Sequence, residues 1–329
     1  VVQAQVKNGV DLISETASLR LTLDLTPPVA ELRSPAQRAI LTSPRPTFSY
    51  SFSEAIKGST WAQGFLLTRN DGVAVPGTYD YDPTNFTATF TPSISLLVGA
   101  AYVVRLNGIT DLAGNLARSP SSTTGVETWS FTFLKGVVFG KAIVANSNVI
   151  FGSSVQVRST VNGIPAETIV QLERKGEGGA WEFVTNAFVR NGAAVAYDSP
   201  ISGTAYRFRF LGSSTSAPAS GQAAAVSVLP VVRLSGERSY VRVRTRGAAV
   251  LIKGFVDPAG SAINLVRYRC TSTFSVCTRV ATMSTIANDD GRATFNWVAT
   301  KGYWAFKLVA PAAGGLTAGS SGLLRFRVP

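Results

Sequence analysis

The acidic side chains that could do chemistry in this chain stand in turn-like settings. Glu54 lies in Phe52-Ser53-Glu54-Ala55-Ile56, Asp111 opens Asp111-Leu112-Ala113-Gly114-Asn115, and Asp80 and Asp82 form an Asp-x-Asp. Two carboxylates are enough for glycoside hydrolysis. The same residues also read as turn formers, because Asp and Asn side chains accept hydrogen bonds from backbone N–H groups just downstream. Histidine is absent, which removes Ser-His-Asp and Cys-His triads, HExxH metal sites and histidine bases together. No GxSxG elbow, P-loop or dinucleotide fingerprint takes their place. The expectation is a chain that is not an enzyme and carries no cofactor. Calcium is the small ligand to weigh, since loop carboxylates and amides are its usual ligands. Its candidates are Asp80, Asp82, Asp111 and Asn115, with Asn288, Asp289 and Asp290 as a second group, none at EF-hand spacing.

Cys270 and Cys277 are the two cysteines. Strand-like residues flank both, so a hairpin would set them face to face. A disulfide is expected, and with it an oxidising compartment. The other reading is two free buried thiols. Zinc is excluded on chemistry, because two cysteines without histidine cannot complete a tetrahedral site. Asn85-Phe86-Thr87 makes Asn85 a glycosylation candidate.

Charge is uneven along the chain. Residues 230–329 hold 14 Lys+Arg against 4 Asp+Glu, and so carry +10 of a formal net +12. Their arginines alternate in strand-like runs: Arg242, Arg244 and Arg246; Arg267 and Arg269; Arg325 and Arg327. Alternation is expected to place each set on one sheet face, with Val241, Val243, Leu324, Phe326 and Val328 toward the core. Adjacent strands so patterned would present a basic face to an acidic polysaccharide, an anionic glycan or an acidic neighbouring module. Trp181, Tyr303 and Trp304 would assist if exposed. The plainer reading is a solvated sheet face. Nucleic acid is set aside, because no recognition motif accompanies the charge.

The elements that must position these residues are strands. Phe48, Tyr50 and Phe52 alternate with serines, and Trp129, Phe131 and Phe133 alternate with Ser130 and Thr132. Between them lie turn clusters: Asn70-Asp71-Gly72, Val75-Pro76-Gly77, Asp82-Pro83-Thr84-Asn85 and Asp111 to Asn115. Short strands at that spacing predict a β-sandwich. One or two helical turns fit only Ile56 to Gln63 and Ser93 to Val98. The chain is 45% apolar and 15% charged, which suits a sheet-rich globular protein. No apolar run reaches membrane-spanning length. Val1 falls inside a strand-like pattern with no secretory signal before it, so a piece of a longer protein is expected.

Residues 27–134 resemble the bacterial Ig-like module of the surface-layer-protein type. The resemblance rests on Phe52 to Ile56, Ala88-Thr89-Phe90-Thr91-Pro92, Ala101-Tyr102-Val103-Val104, Asp111 to Asn115 and Trp129 to Phe133. Ala55 stands where that family usually has proline. Leu19, Leu21, Leu23 and Leu25 alternate before Thr26-Pro27-Pro28, which reads as the end of a preceding module (1–26) and a stiff linker. Two further Ig-like repeats follow, 135–229 and 230–329, at a period of about 95 residues. Ile169 to Arg174 lines up with Leu265 to Cys270, and Gly203 to Phe210 with Lys301 to Leu308. The fold expected is all-β: tandem Ig-like sandwiches in a linear, elongated arrangement. The resemblance implies a structural or adhesive segment of an extracellular, cell-surface protein, partnered by other copies or neighbouring modules. The alternatives are a polyanion- or carbohydrate-binding appendage working through the basic last domain, and spacer modules of a secreted hydrolase.

Overall fold

A computed structural model describes residues 2–10, 13–20, 22–119, 126–236 and 241–329. The chain is a series of β-sandwiches, and among the described residues Gly58–Gly64 is the one helix. It divides into two compact units: Val1–Gly136 with Ser213–Ala217, and Val137–Gly212 with Pro218–Pro329.

In the first unit two four-stranded sheets face each other. One runs Ala30–Ser34, Phe48–Phe52, Thr87–Pro92, Gly77–Asp82, and the other Ile40–Leu41, Glu127–Phe133, Ala101–Leu106, Phe65–Arg69. The alternation read in the sequence becomes burial: Phe48, Tyr50 and Phe52 point inward while Ser49 and Ser51 lie half-buried on the other side. Rings from the two sheets meet in the middle, Phe48 with Phe131 and Tyr50 with Trp129 at 5.2 Å, Phe65 with Phe90 at 4.8 Å. Such pairs add about 0.5–1.5 kcal/mol each beyond the area they bury. The short helix closes one side, with Trp61 buried and its indole N–H donating to the Thr89 carbonyl at 2.7 Å. Ser93 to Val98 forms no helix. Its Leu97 N–H donates to the Tyr102 hydroxyl at 2.7 Å and its Leu96 N–H to the Pro44 carbonyl at 2.8 Å, so other segments take the donors a helix would need. The Tyr102 bond has the form of the tyrosine corner of Ig-type sandwiches.

Ahead of this module, Val2–Ala4 pairs antiparallel with Ala17–Leu19. The alternating leucines make strand only as far as Leu19; Leu23 and Leu25 are exposed outside any strand, and Leu21 lies outside the described residues. The proline pair that follows cannot donate to a ladder, and nothing here supplies a partner strand.

The second unit holds two sandwiches with separate cores, one around Val157, Leu172, Tyr206 and Phe208, the other around Ile252, Leu265, Phe306 and Phe326. The first is a continuous ladder, because Glu182–Arg190 pairs with Ile169–Gly176 and then, at its end, with Ala193–Asp198. The second has a three-stranded sheet (Val231–Leu234, Ala249–Asp257, Arg292–Val298). Its larger sheet runs Val241–Val243, Leu324–Val328, Gly302–Ala310, Ala262–Cys270, Cys277–Ile286.

The repeat recurs strand for strand, but the sequence alignment is three residues out for Ile169 to Arg174 and two residues out for Gly203 to Phe210. A short return strand pairs with Arg209-Phe210 in one repeat and Val309-Ala310 in the other, which makes Phe208 equivalent to Leu308. Leu172 lies opposite Phe208 and Leu265 opposite Leu308. Ile169 to Arg174 therefore corresponds to Ala262 to Arg267, and the two strands share one burial pattern. Alternating apolar and basic residues look alike at several offsets; only the cross-strand partner fixes the register.

A backbone joint recurs with the same spacing. Six residues beyond Phe210, Ser216 bridges Lys135, and six beyond Ala310, Leu316 bridges Val228, both parallel. Lys135 N–H donates to Thr215 O and Ala217 N–H to Lys135 O, each at 2.9 Å. In the other joint Thr317 N–H donates to Val228 O at 2.9 Å and Gly203 N–H to Gly315 O at 2.7 Å.

Candidate functional site

Among the described residues, one group of three acids gathers at a corner of the first unit. Asp24 comes from the segment before the proline pair, Glu54 from the loop after Phe48–Phe52, and Asp111 from the turn after Ala101–Leu106. One oxygen of each lies within 4.8 Å of the others. The two hallmark segments meet there because Ile56 bridges Asp111 and Lys57 N–H donates to Thr110 O at 2.8 Å. Asn115 closes the turn. Its backbone N–H and its side-chain amide each donate to the Asp111 carboxylate at 2.8 Å, and the same amide reaches the Asp24 and Thr26 carbonyls at 3.1 and 3.3 Å.

The three carboxylates do not titrate alike. Burial raises the Glu54 pKa, and the charges of Asp24 and Asp111 raise it further. Burial also opposes ionisation of Asp111, which is 3% exposed, yet bonds from Asn115 and from the turn backbone outweigh that and hold its pKa below the usual Asp range. Three hard oxygen donors with one strained in its charged form match what a divalent cation takes. The Asp111 carboxylate is engaged by its own turn.

Asp111 and Asn115 are thus brought together as expected. Asp80 and Asp82 are not part of the group. Asp82 accepts from Thr84 N–H at 2.8 Å and from the Asn85 amide at 2.7 Å, a closed turn. Asn288 likewise caps its own turn, accepting from Arg292 N–H at 2.7 Å. Asp24 and Glu54 were missed as partners of Asp111. The available signal was an acid just before Thr26-Pro27-Pro28, whose stiff path holds it near the module.

The two loop segments at this corner, Phe52 to Ile56 and Asp111 to Asn115, pair with each other. Residues 24–133 match the bacterial Ig-like domain. No curated protein matches the chain. Among solved structures, the N-terminal part of the bacterial S-layer protein SbsC is 15% identical over 61% of this chain, with a TM-score of 0.26. The chain spans 44% of that structure's length. A tetra-tandem repeat from the extending region of a large adhesion protein is 12% identical over 90% of this chain and 73% of its own, at 0.33. The N-terminal eight Ig domains of Down Syndrome Cell Adhesion Molecule are 12% identical over 99% and 39%, at 0.35. The match to the bacterial Ig-like domain begins at Asp24, so the third acid of the corner belongs to the module.

Beyond the segment that matches the bacterial Ig-like domain, the seven arginines singled out in the last sandwich do not form the single face expected. Arg267 and Arg269 lie opposite the core residues Phe306 and Trp304, while Arg325 and Arg327 lie opposite Ala305 and Tyr303 on the other face. Arg242 lies level with Phe326, whereas Val241 and Val243 align with Arg325 and Arg327 and are exposed. The first run is therefore inverted relative to expectation: its valines face solvent. The guanidinium groups of Arg267 and Arg269 stand 5.3 and 5.1 Å from the Trp304 ring, and Arg244 stands 5.6 Å from Phe326. Arg246 is exposed past the strand end. Trp304 is a core residue at 5% exposure, not a surface platform. Trp181 is covered by Arg207 at 4.1 Å, and Tyr303 is half-buried.

Cys270 and Cys277 are disulfide-bonded, facing each other at the turn end of their hairpin. Asn85 is exposed in the turn before Thr87–Pro92. No helix among the described residues is long and apolar enough to cross a membrane.

Proposed function

We propose that the chain is a structural and adhesive segment of a cell-surface protein, with modules at 27–134, 135–229 and 230–329 after the end of another in 1–26. The observation that carries it is the backbone joint repeated at Ser216 and Leu316. Main-chain hydrogen bonds hold whatever the side chains are, which suits modules added in series. The aromatic cores seal each sandwich, and the Cys270–Cys277 bond suits an oxidising, extracellular setting. The partners are neighbouring modules and other copies of the same protein. Trypsin tests this directly, since 31 Lys and Arg residues are potential sites. Cutting confined to the segment before Pro27 and to loops supports it. Rapid cutting inside strands, at Arg105, Arg207 or Arg267, overturns it.

The acidic corner favours a calcium role within this reading: Asp24, Glu54 and Asp111 would hold the ion and stiffen the linker against the first module. Calcium should then raise the melting temperature, and Glu54→Gln should abolish the increase. An identical melt in calcium and in chelator removes the ion from the account.

A further inference from the structure

The two repeats of the second unit correspond position by position, and they differ on one outer face that the alternating arginines did not mark. On the outer face of the preceding repeat, Glu173 is 5% exposed and binds Arg207 at 2.7 Å and Arg209 at 3.2 Å. Two of its cations thus share one buried carboxylate. In the last sandwich Val266 holds the position of Glu173, and Lys307 that of Arg207. Ala225 and Ser227, on the neighbouring strand, give way to Arg325 and Arg327. The face loses its acid, exchanges Arg209 for Val309 and Lys175 for Tyr268, and gains Arg325 and Arg327 on the neighbouring strand.

Four basic residues share this face. Arg325, Ala305, Tyr268 and Arg279 form one row across four strands, a span of roughly 14 Å at ~4.8 Å per strand. Arg327 lies two residues on from Arg325, about 7 Å along the strand, and Lys307 two residues from Ala305. Among the described residues none of the four makes an ion pair. Asp257 belongs to the smaller sheet, and Asp289 and Asp290 lie in the turn beyond Ile286, at the far end of the strand that begins near Arg279. Beside the arginines, Phe274 packs edge-on against Tyr303 at 5.7 Å, and Arg325 stands 6.0 Å from the Phe274 ring. The Cys270–Cys277 bond closes the loop that carries Phe274 and so fixes this pair.

We propose that this outer face, through Arg279, Lys307, Arg325 and Arg327 with the Phe274–Tyr303 pair, binds an acidic polysaccharide. A row of cations across strands matches a polymer with repeated carboxylate or sulfate groups, and guanidinium groups take either oxyanion through paired hydrogen bonds. The aromatic pair offers apolar edges to sugar rings. Arg242, Arg244, Arg267 and Arg269 are excluded, because their rows turn toward the core. The site goes beyond the structural reading and does not depend on it.

The test is binding of the full chain to polygalacturonate and to dextran sulfate at low and high salt, with neutral dextran, duplex DNA and anionic lipid vesicles alongside. Expected is salt-sensitive binding to the acidic polymers and none to neutral dextran, the carboxylate and sulfate arms showing which oxyanion is preferred. Arg325→Gln with Arg327→Gln should weaken it about tenfold or more. Val266→Glu, which restores the acid of the preceding repeat without removing a cation, should weaken it too. Arg158→Gln, on an exposed strand position of the other sandwich, should leave it unchanged. Circular dichroism melts confirm that each variant folds. Equal binding by the double variant and the parent overturns the site. Tighter binding to DNA or vesicles than to either polysaccharide overturns the ligand class.

Discussion

Glu54 and Asp111 share one corner but respond to pH in opposite senses. The Glu54 pKa is raised on folding, so its contribution to stability is fully present below its unfolded pKa and is lost as pH rises through the folded value. Asp111 is depressed, so its contribution is present above its unfolded pKa and is lost as pH falls through the folded value. With chelator present, Glu54→Gln should raise the melting temperature at pH 7 and have no effect well below pH ~4, the ordinary glutamate range. Asp111→Asn should lower it at pH 7, with the difference closing in acid. A second residue-scale prediction concerns Glu173. Glu173→Gln leaves Arg207 and Arg209 without their shared partner and should cost about 1–3 kcal/mol in denaturant unfolding. Asp111 and Asn115 were legible in the sequence as a turn, because Asx chemistry is local. Asp24 and Glu54 were not legible as its neighbours, since their proximity depends on the Ile56–Asp111 bridge and on the path of the proline pair.

At the scale of elements, alternation in the sequence shows that a strand has two faces and leaves open which one is covered. It was sufficient for Phe48 to Phe52 and for Trp129 to Phe133, where one set is aromatic and the other Ser or Thr. It misled for Val241 to Arg246, where valine and arginine alternate and the ladder partner decides: Arg242 is level with Phe326. The disulfide was readable because Cys270 ends one strand-like run and Cys277 begins the next. Reduction, or Cys270→Ala with Cys277→Ala, should lower the unfolding free energy of the last sandwich by about 2–3 kcal/mol on the chain-entropy model. The joint loops carried no sequence signal, because they act through backbone groups that any residue except proline supplies. Thr317→Pro removes the backbone donor to Val228 and should lower the melting temperature of the second unit. Thr317→Ala keeps that donor, losing only the hydroxyl's bond to the same carbonyl, and should lower it less.

For the whole molecule, the central claim is that the chain is a series of sealed sandwiches built to hold together. A repeat near 95 residues was legible from recurring strand phrases, since sandwich cores need similar strands in the same order. Its exact register was not, because insertions between strands shift the offset from one strand to the next. Stretching single molecules between their ends measures the claim most directly. The account predicts three separate unfolding events. Two should release roughly 30 nm each, given extended chain at about 3.3–3.6 Å per residue, and the third about 2 nm less while the disulfide is intact. Reduction should restore that missing length. Gradual extension without discrete events, or one event releasing the whole chain, would contradict it.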